Sequence, residues 1–411
     1  MTKRFIMIVL MLTITNACVA TPTIPAPEPT ATLAGPIEPD ATDTPIPSPL
    51  PATETPIPTD TAAPEPTSTD TPVAYGPANF PENVSPLTGQ EVADPAILNR
   101  RPLSVKVQIF PRGQRPPMGI SQADIVYDYY QNTGMTRFHA IFYAKDSEQV
   151  GPIRSGRLLD TQLVSMYQSI IAFGSADRRI LQRFYSSDFA SRMLLEGYGK
   201  CPPMCRTDPN GYNYLVTNTQ EMSVFANANN IDNNRQDLSG MYYTALTPAG
   251  GQPGAQAFIR YSISAYNRWD YDSSSGRYLR FQDTTEAQNQ EGETLAVMTD
   301  RNTGEQIATD NVVIIFVSHR YAFQTRPGLN EIIDILLDTG GSGEALALRD
   351  GMLYELQWHR PAKNSVLLLT YPDGTSYPLK PGNTWFQVVG KSSTREQGVD
   401  GGSIRIIFSI P

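Results

Sequence analysis

The chain has 411 residues and a formal net charge of −9, from 41 acidic and 32 basic side chains. Lys3 and Arg4 are followed by eleven acidic residues and no basic one over 19–99, so the remainder is charge-balanced and lacks the basic footprint that nucleic acid requires. Three cysteines and three scattered histidines, His139, His319 and His359, argue against a metal site, and no cofactor motif is present.

Met1–Arg4 form a basic start, and Phe5 to Ile14 are an apolar run too short to span a bilayer. Residues 1–18 therefore read as a secretory signal. Ala17-Cys18 is similar to a bacterial lipobox, which makes Cys18 the lipidated N-terminus; the alternative is an ordinary signal with an incidental cysteine. A lipid anchor places the protein outside the cell, at the outer face of the bacterial cytoplasmic membrane or the cell surface. Residues 19–84 form a Thr/Pro-rich stretch, with sixteen of the 35 prolines between Thr21 and Phe80. Such a composition cannot offset its ordering entropy, so a disordered, extended tether is expected.

Residues 85–246 read as a mixed α/β domain. "RPLSVKVQI" alternates as a strand, and "ISQADIVYDYY", "QNTG" and "MTRFHAIFYA" make a hairpin. Alternation puts Arg137 and His139 on one face of the second hairpin strand and Phe138 and Ala140 on the other. "VGPIRSGR" then leads into a helix from Leu158, followed by a strand near Ser169–Phe173. "DRRILQRFYSS" and "TQEMSVFANANN" predict two further helices. In an exported chain, "GKCPPMC" favours a local Cys201–Cys205 disulfide over a metal pair.

Pro and Gly cluster at 247–256, the expected domain border. Residues 257–411 read as mainly β: "FIRYSISAYNRWDYD" and "RYLRFQD" form a hairpin, and "NVVIIFVSHRYAF" is a buried strand. "EIIDILL" fits either a strand or a short helix. The fold class is thus α+β, an α/β domain followed by a mainly β one.

"SPLTG", "SQADIVYDYYQNTGMTRFHAIFY", "VGPIRSGR", "WDYDSSSGRYLRF", "GSGEALALRDGMLYELQWHR" and "PGNTWFQVV" together resemble the DUF3048 family of YerB-like lipoproteins. The resemblance implies an N-terminal and a C-terminal DUF3048 domain on a bacterial surface, and no activity. The family's "RSARP" is "RSGRL" here, its Glu-Gly-Gly before Thr-Arg is Asn132-Thr133-Gly134, and a His-bearing stretch is "IAFGSAD" without the His.

Arg154, Ser155 and Arg157 sit before a helix N-terminus, where two guanidiniums suit a carboxylate or phosphate. The plainer alternative has Ser155 capping the helix and the arginines pairing with Asp124, Asp128 or Asp160. Asp128, Arg137 and His139 suggest either a ligand-orienting group or a structural ion pair. Tyr127, Tyr129, Tyr130, Tyr143, Trp269, Trp358 and Trp385 suggest either a sugar platform or core packing. The leading expectation is a surface lipoprotein binding an anionic or glycan envelope ligand between Asp128, Arg137, His139, Arg154, Ser155 and Arg157. The rivals are an envelope hydrolase or transferase using Asp128 with His139, and a structural protein docking a partner.

Overall fold

A computed structural model describes residues 73–410, apart from Tyr198 and residues 208–213, 327–328 and 399–400. The signal segment, Cys18 and the tether up to residue 72 lie outside the described residues. Residues 73–84, expected in the tether, belong to the fold. Ala74 and Tyr75 pair with Thr244 and Tyr243, Phe80 packs edge-on against Tyr243 at 6.3 Å, and Val84 is fully buried. These apolar contacts supply what the Thr/Pro repeats lack. Gly89 of "SPLTG" has φ +63°, and a Cβ there would lie 2.3 Å from the Tyr243 side chain, so only glycine lets this segment close down.

Among the described residues the fold is mainly β, with three α-helices: α1 (Leu158–Met166), α2 (Arg178–Tyr185) and α3 (Thr219–Ala228). Each starts with local chemistry. Asp177 accepts the Arg179 amide at 2.9 Å for α2, and Asn218 accepts the Glu221 amide at 3.1 Å for α3. Cys201 and Cys205 form a disulfide, with their Cα atoms 4.8 Å apart. Ile332–Ile335, read as strand or helix, is a strand paired antiparallel with His319–Phe323.

Among the described residues the largest sheet has eleven strands, drawn from both halves of the chain. Its centre is Asn311–Val317, Thr384–Gly390, Ile125–Asn132, Met135–Phe142 and Leu103–Gln108, in that order. Thr384–Gly390 runs parallel to Ile125–Asn132, with Gln387 beside Asp128. The Pro/Gly cluster at 247–256 therefore separates two stretches of sequence whose strands share one sheet. A second, seven-stranded sheet contains Gln256–Arg260, Tyr266–Asp272, Arg277–Asp283 and Ser403–Ile407. Among the described residues, no helix is long and apolar enough to cross a membrane.

Candidate functional site

The strand Leu103–Gln108 pairs with Met135–Phe142, which pairs in turn with Ile125–Asn132. The registers Lys106↔His139, Gln108↔Arg137, Tyr127↔His139 and Tyr129↔Arg137 gather these residues on one face. Asp160 of α1 meets this face. The polar positions of "LSVKVQ", which a half-buried strand would turn to water, are covered instead: Ser104 and Lys106 are fully buried.

Asp160 is the hub. Its Oδ1 lies 2.9 Å from His139 Nδ1, 3.4 Å from Lys106 Nζ and 2.5 Å from the Tyr129 hydroxyl. Its Oδ2 accepts the Arg157 amide at 2.6 Å, which closes the first turn of α1. His139 Nε2 lies 2.9 Å from Ser104 Oγ, and Ser104 Oγ 2.7 Å from Ser169 Oγ. An ionised Asp160 fixes the tautomer, because Nδ1–H donates to it and Nε2 then accepts the Ser104 proton. Burial alone would raise the Asp160 carboxyl, but Lys106 and His139 outweigh it and hold it well below the usual carboxylate range. Burial also lowers His139, keeping it neutral.

Burial pushes Lys106 down to about 7, against the pull of Asp160 and with the push of Arg137 and Arg157. Between about 7 and the ordinary 10.5 the unfolded chain holds a proton that the folded chain has released. Stability should therefore rise with pH across that window. Urea unfolding at both ends is expected to show a rise in the native chain that is absent in Lys106→Met. Parallel curves for the two proteins would refute this.

Above this network lie the arginines. Arg137, Arg154, Ser155 and Arg157 are all half-buried. Arg137 donates to the Ser155 carbonyl at 2.8 Å, Arg157 to the Gly156 carbonyl at 2.8 Å, and Arg154 Nε to Gln108 Oε1 at 2.5 Å. Burial, then the charges of Arg157 and Arg154, push the Arg137 guanidinium well below its ordinary range. Ser155 bonds to Ser175 at 3.0 Å and does not cap α1; Arg157 precedes the first helical residue, Leu158. The family's proline would stand at that first position, which suits its fixed φ. Gly156 has its own cause: a Cβ would sit 2.7 Å from the Phe184 ring.

Asp128 does not join this group. It faces the opposite side of the sheet, with Phe138 as its cross-strand neighbour. There it is fully buried against Arg280 of the second sheet, Oδ2 to Nη2 2.7 Å. The Arg280 guanidinium lies 4.7 Å from the Trp385 ring centre and 5.1 Å from those of Trp269 and Phe138. The expected Asp128–His139 acid–base pair is thus separated by the sheet, because odd and even positions of a strand point to opposite faces. The expected Asp128 wall of a cleft with Arg154 and Arg157 fails for the same reason. The aromatic residues considered as a sugar platform, Tyr127 and Trp385 among them, are buried.

Ser104, His139 and Asp160 follow one another as nucleophile, base and orienting acid do in acyl transfer. Both Ser104 and His139 have 0 % exposure, so no substrate carbonyl reaches the hydroxyl in this state. Sequence reasoning missed Lys106 and Ser104, considered Asp160 only as a partner for the arginines, and considered Tyr129 only as a sugar platform or core packing. The available signal was the lysine inside an apolar alternation, facing His139 on the next strand.

Comparison with known proteins agrees with this architecture. The family described as "Protein of unknown function (DUF3048) N-terminal domain" matches residues 87–232, and its C-terminal domain matches residues 257–386. The chain belongs to the DUF3048 family. A relative within it is the Bacillus subtilis (strain 168) protein named "Putative lipoprotein YerB", 25% identical over 317 residues, covering 74% of this chain and 86% of the relative. The crystal structure of YerB protein from Bacillus subtilis superposes with a TM-score of 0.59 at 24% identity, covering 74% of this chain and 96% of the other. The DUF3048 match spans both halves of the large sheet, and the likeness to YerB extends to its fold.

Proposed function

We propose that this DUF3048 chain is an exported, lipid-anchored envelope protein that binds a small anion, a carboxylate or phosphate group of the envelope, at Arg137, Arg154 and Arg157. The observation that carries the reading is the convergence of three half-buried guanidiniums beside the N-terminus of α1. Arg137 and Arg157 donate to backbone carbonyls, and Arg137 feels the repulsion of the other two arginines. An anion in their midst relieves that repulsion and accepts charge-assisted, bidentate hydrogen bonds. The likeness to a protein named "Putative lipoprotein YerB" supports the anchor, with Cys18 as its attachment point.

Calorimetric titration with citrate and with glycerol phosphate tests the reading on the full-length chain. Saturable binding is expected, weakened at least about tenfold in Arg154→Ala and in Arg157→Ala, since each lost charged hydrogen bond is worth roughly 1.5–3 kcal/mol. Equal affinity of the three proteins for both anions, or no binding by any, would refute it.

A further inference from the structure

At the other end of the same strands, a surface cavity of about 940 Å³ opens between the Pro95–Leu98 turn, Ala144–Asp146, α3 and residues 230–234. Arg137 and Ala144 are seven residues apart along one strand and its extension, so the cavity lies roughly 20 Å from the arginine cluster. Its chemistry also differs. Two of the three carboxylates in its wall are already paired: Arg100 pairs with Asp146 at 2.9 Å, and Asp232 pairs with Arg101. Asp94 is held by the Ala96 amide at 2.9 Å. Such a wall gains little from an anion, which would have to displace a carboxylate already paired with Arg100 or Arg101.

What the wall leaves open is neutral hydrogen-bonding capacity. Asn99 and Asn230 are exposed in the cavity, and their side-chain amides form no hydrogen bond among the described residues. Ser223 Oγ accepts from Arg100 Nη1 at 3.3 Å, so its own proton is left to donate. Asn233 holds the far wall, its Oδ1 accepting the Arg101 amide at 3.1 Å and its Nδ2 reaching Asn227 at 3.3 Å. Val92, Ile97 and Ile231 are half-buried and give the same cavity an apolar flank.

We propose that this cavity is a binding site for a neutral saccharide bearing hydroxyl and acetamido groups. Such a ligand both donates and accepts within one small area, as primary amides and a serine hydroxyl do, and its ring C–H faces suit a small aliphatic flank. The volume falls in the range of small-molecule pockets, about 300–1,000 Å³. The site requires neither Arg154 nor Arg157, so it stands or falls apart from the anion site.

Titration of the full-length chain with a neutral N-acetylglucosamine tetramer, followed by NMR and calorimetry, tests it. Asn230 has φ +54°, so Asn230→Gly removes its amide without imposing backbone strain. Saturable binding is expected in the native chain and in Arg157→Ala, weakened about tenfold in Asn230→Gly and in Asn99→Ala. Absence of saturable binding up to about 10 mM, unchanged affinity in both cavity variants, or loss confined to Arg157→Ala would overturn the proposal. Citrate binding by the cavity variants reports that they remain folded and is expected to match the native chain's; if the native chain does not bind citrate, a native-like urea unfolding curve serves instead.

Discussion

Asp128→Ala is expected to lower the unfolding free energy by about 3–5 kcal/mol, among the largest effects of any single substitution in this chain. The loss comes mainly from Arg280, which is fully buried and would keep its charge with the Gln282 and Gln387 amides and aromatic rings as its remaining neighbours. Burial works against the charged form of both partners, and each pulls the other towards its charged form. Because Asp128 belongs to the large sheet and Arg280 to the second sheet, the damage spreads across the packing of one sheet on the other. Arg280→Met should cost less than Asp128→Ala, since an apolar side chain of similar length refills the space beside Trp269, Trp385 and Phe138, although Asp128 must then be protonated. Urea unfolding by tryptophan fluorescence measures both, and a loss under about 1 kcal/mol for Asp128→Ala would contradict the assignment.

Asp160→Asn should approach the same cost, about 3–5 kcal/mol at neutral pH, for a related reason. It leaves Lys106 without its only carboxylate neighbour within 4 Å among the described residues and His139 without a fixed tautomer. The sign with pH is the usual one for a lowered carboxyl. The stabilisation is present in full above the unfolded value near 4 and is lost as pH falls below it towards the lowered folded value. Asp160→Asn should therefore flatten the acid limb of the stability curve. In the double variant Lys106→Met with Asp160→Asn, the combined loss should be smaller than the sum by about 2–3 kcal/mol, because the charge needing compensation has gone. Additive losses would mean that the two groups do not share one network.

Much of the strand and helix pattern was legible. "LSVKVQ", "IVYDYYQN" and "MTRFHAIF" alternate, and the turn between the last two is where Thr133 and Gly134 take positive φ. The helix from Leu158 followed from its apolar spacing. The candidate site was legible only in part. Arg137, Arg154, Ser155 and Arg157 come together because "VGPIRSGR" runs back along the edge left by Gln108, with the Arg154 amide donating to the Lys106 carbonyl at 2.9 Å. Asp128 was misplaced by one residue of parity, which on a strand is the difference between two faces.

The sequence by itself determined the properties that are local or additive. These are the signal-like start and candidate lipidation at Cys18, the Thr/Pro tether composition, the balanced charge of residues 100–411, and the elements whose periodicity is uninterrupted. Only the tertiary structure decided which strands share a sheet, that the polar face of Leu103–Gln108 is covered by α1, and that Asp128 answers to Arg280, 152 residues away. The physical reason is that burial reverses the meaning of a polar side chain. A lysine or aspartate in an alternating strand reads as solvated until another element closes over it, and what closes over it lies too far along the chain for any local pattern to report.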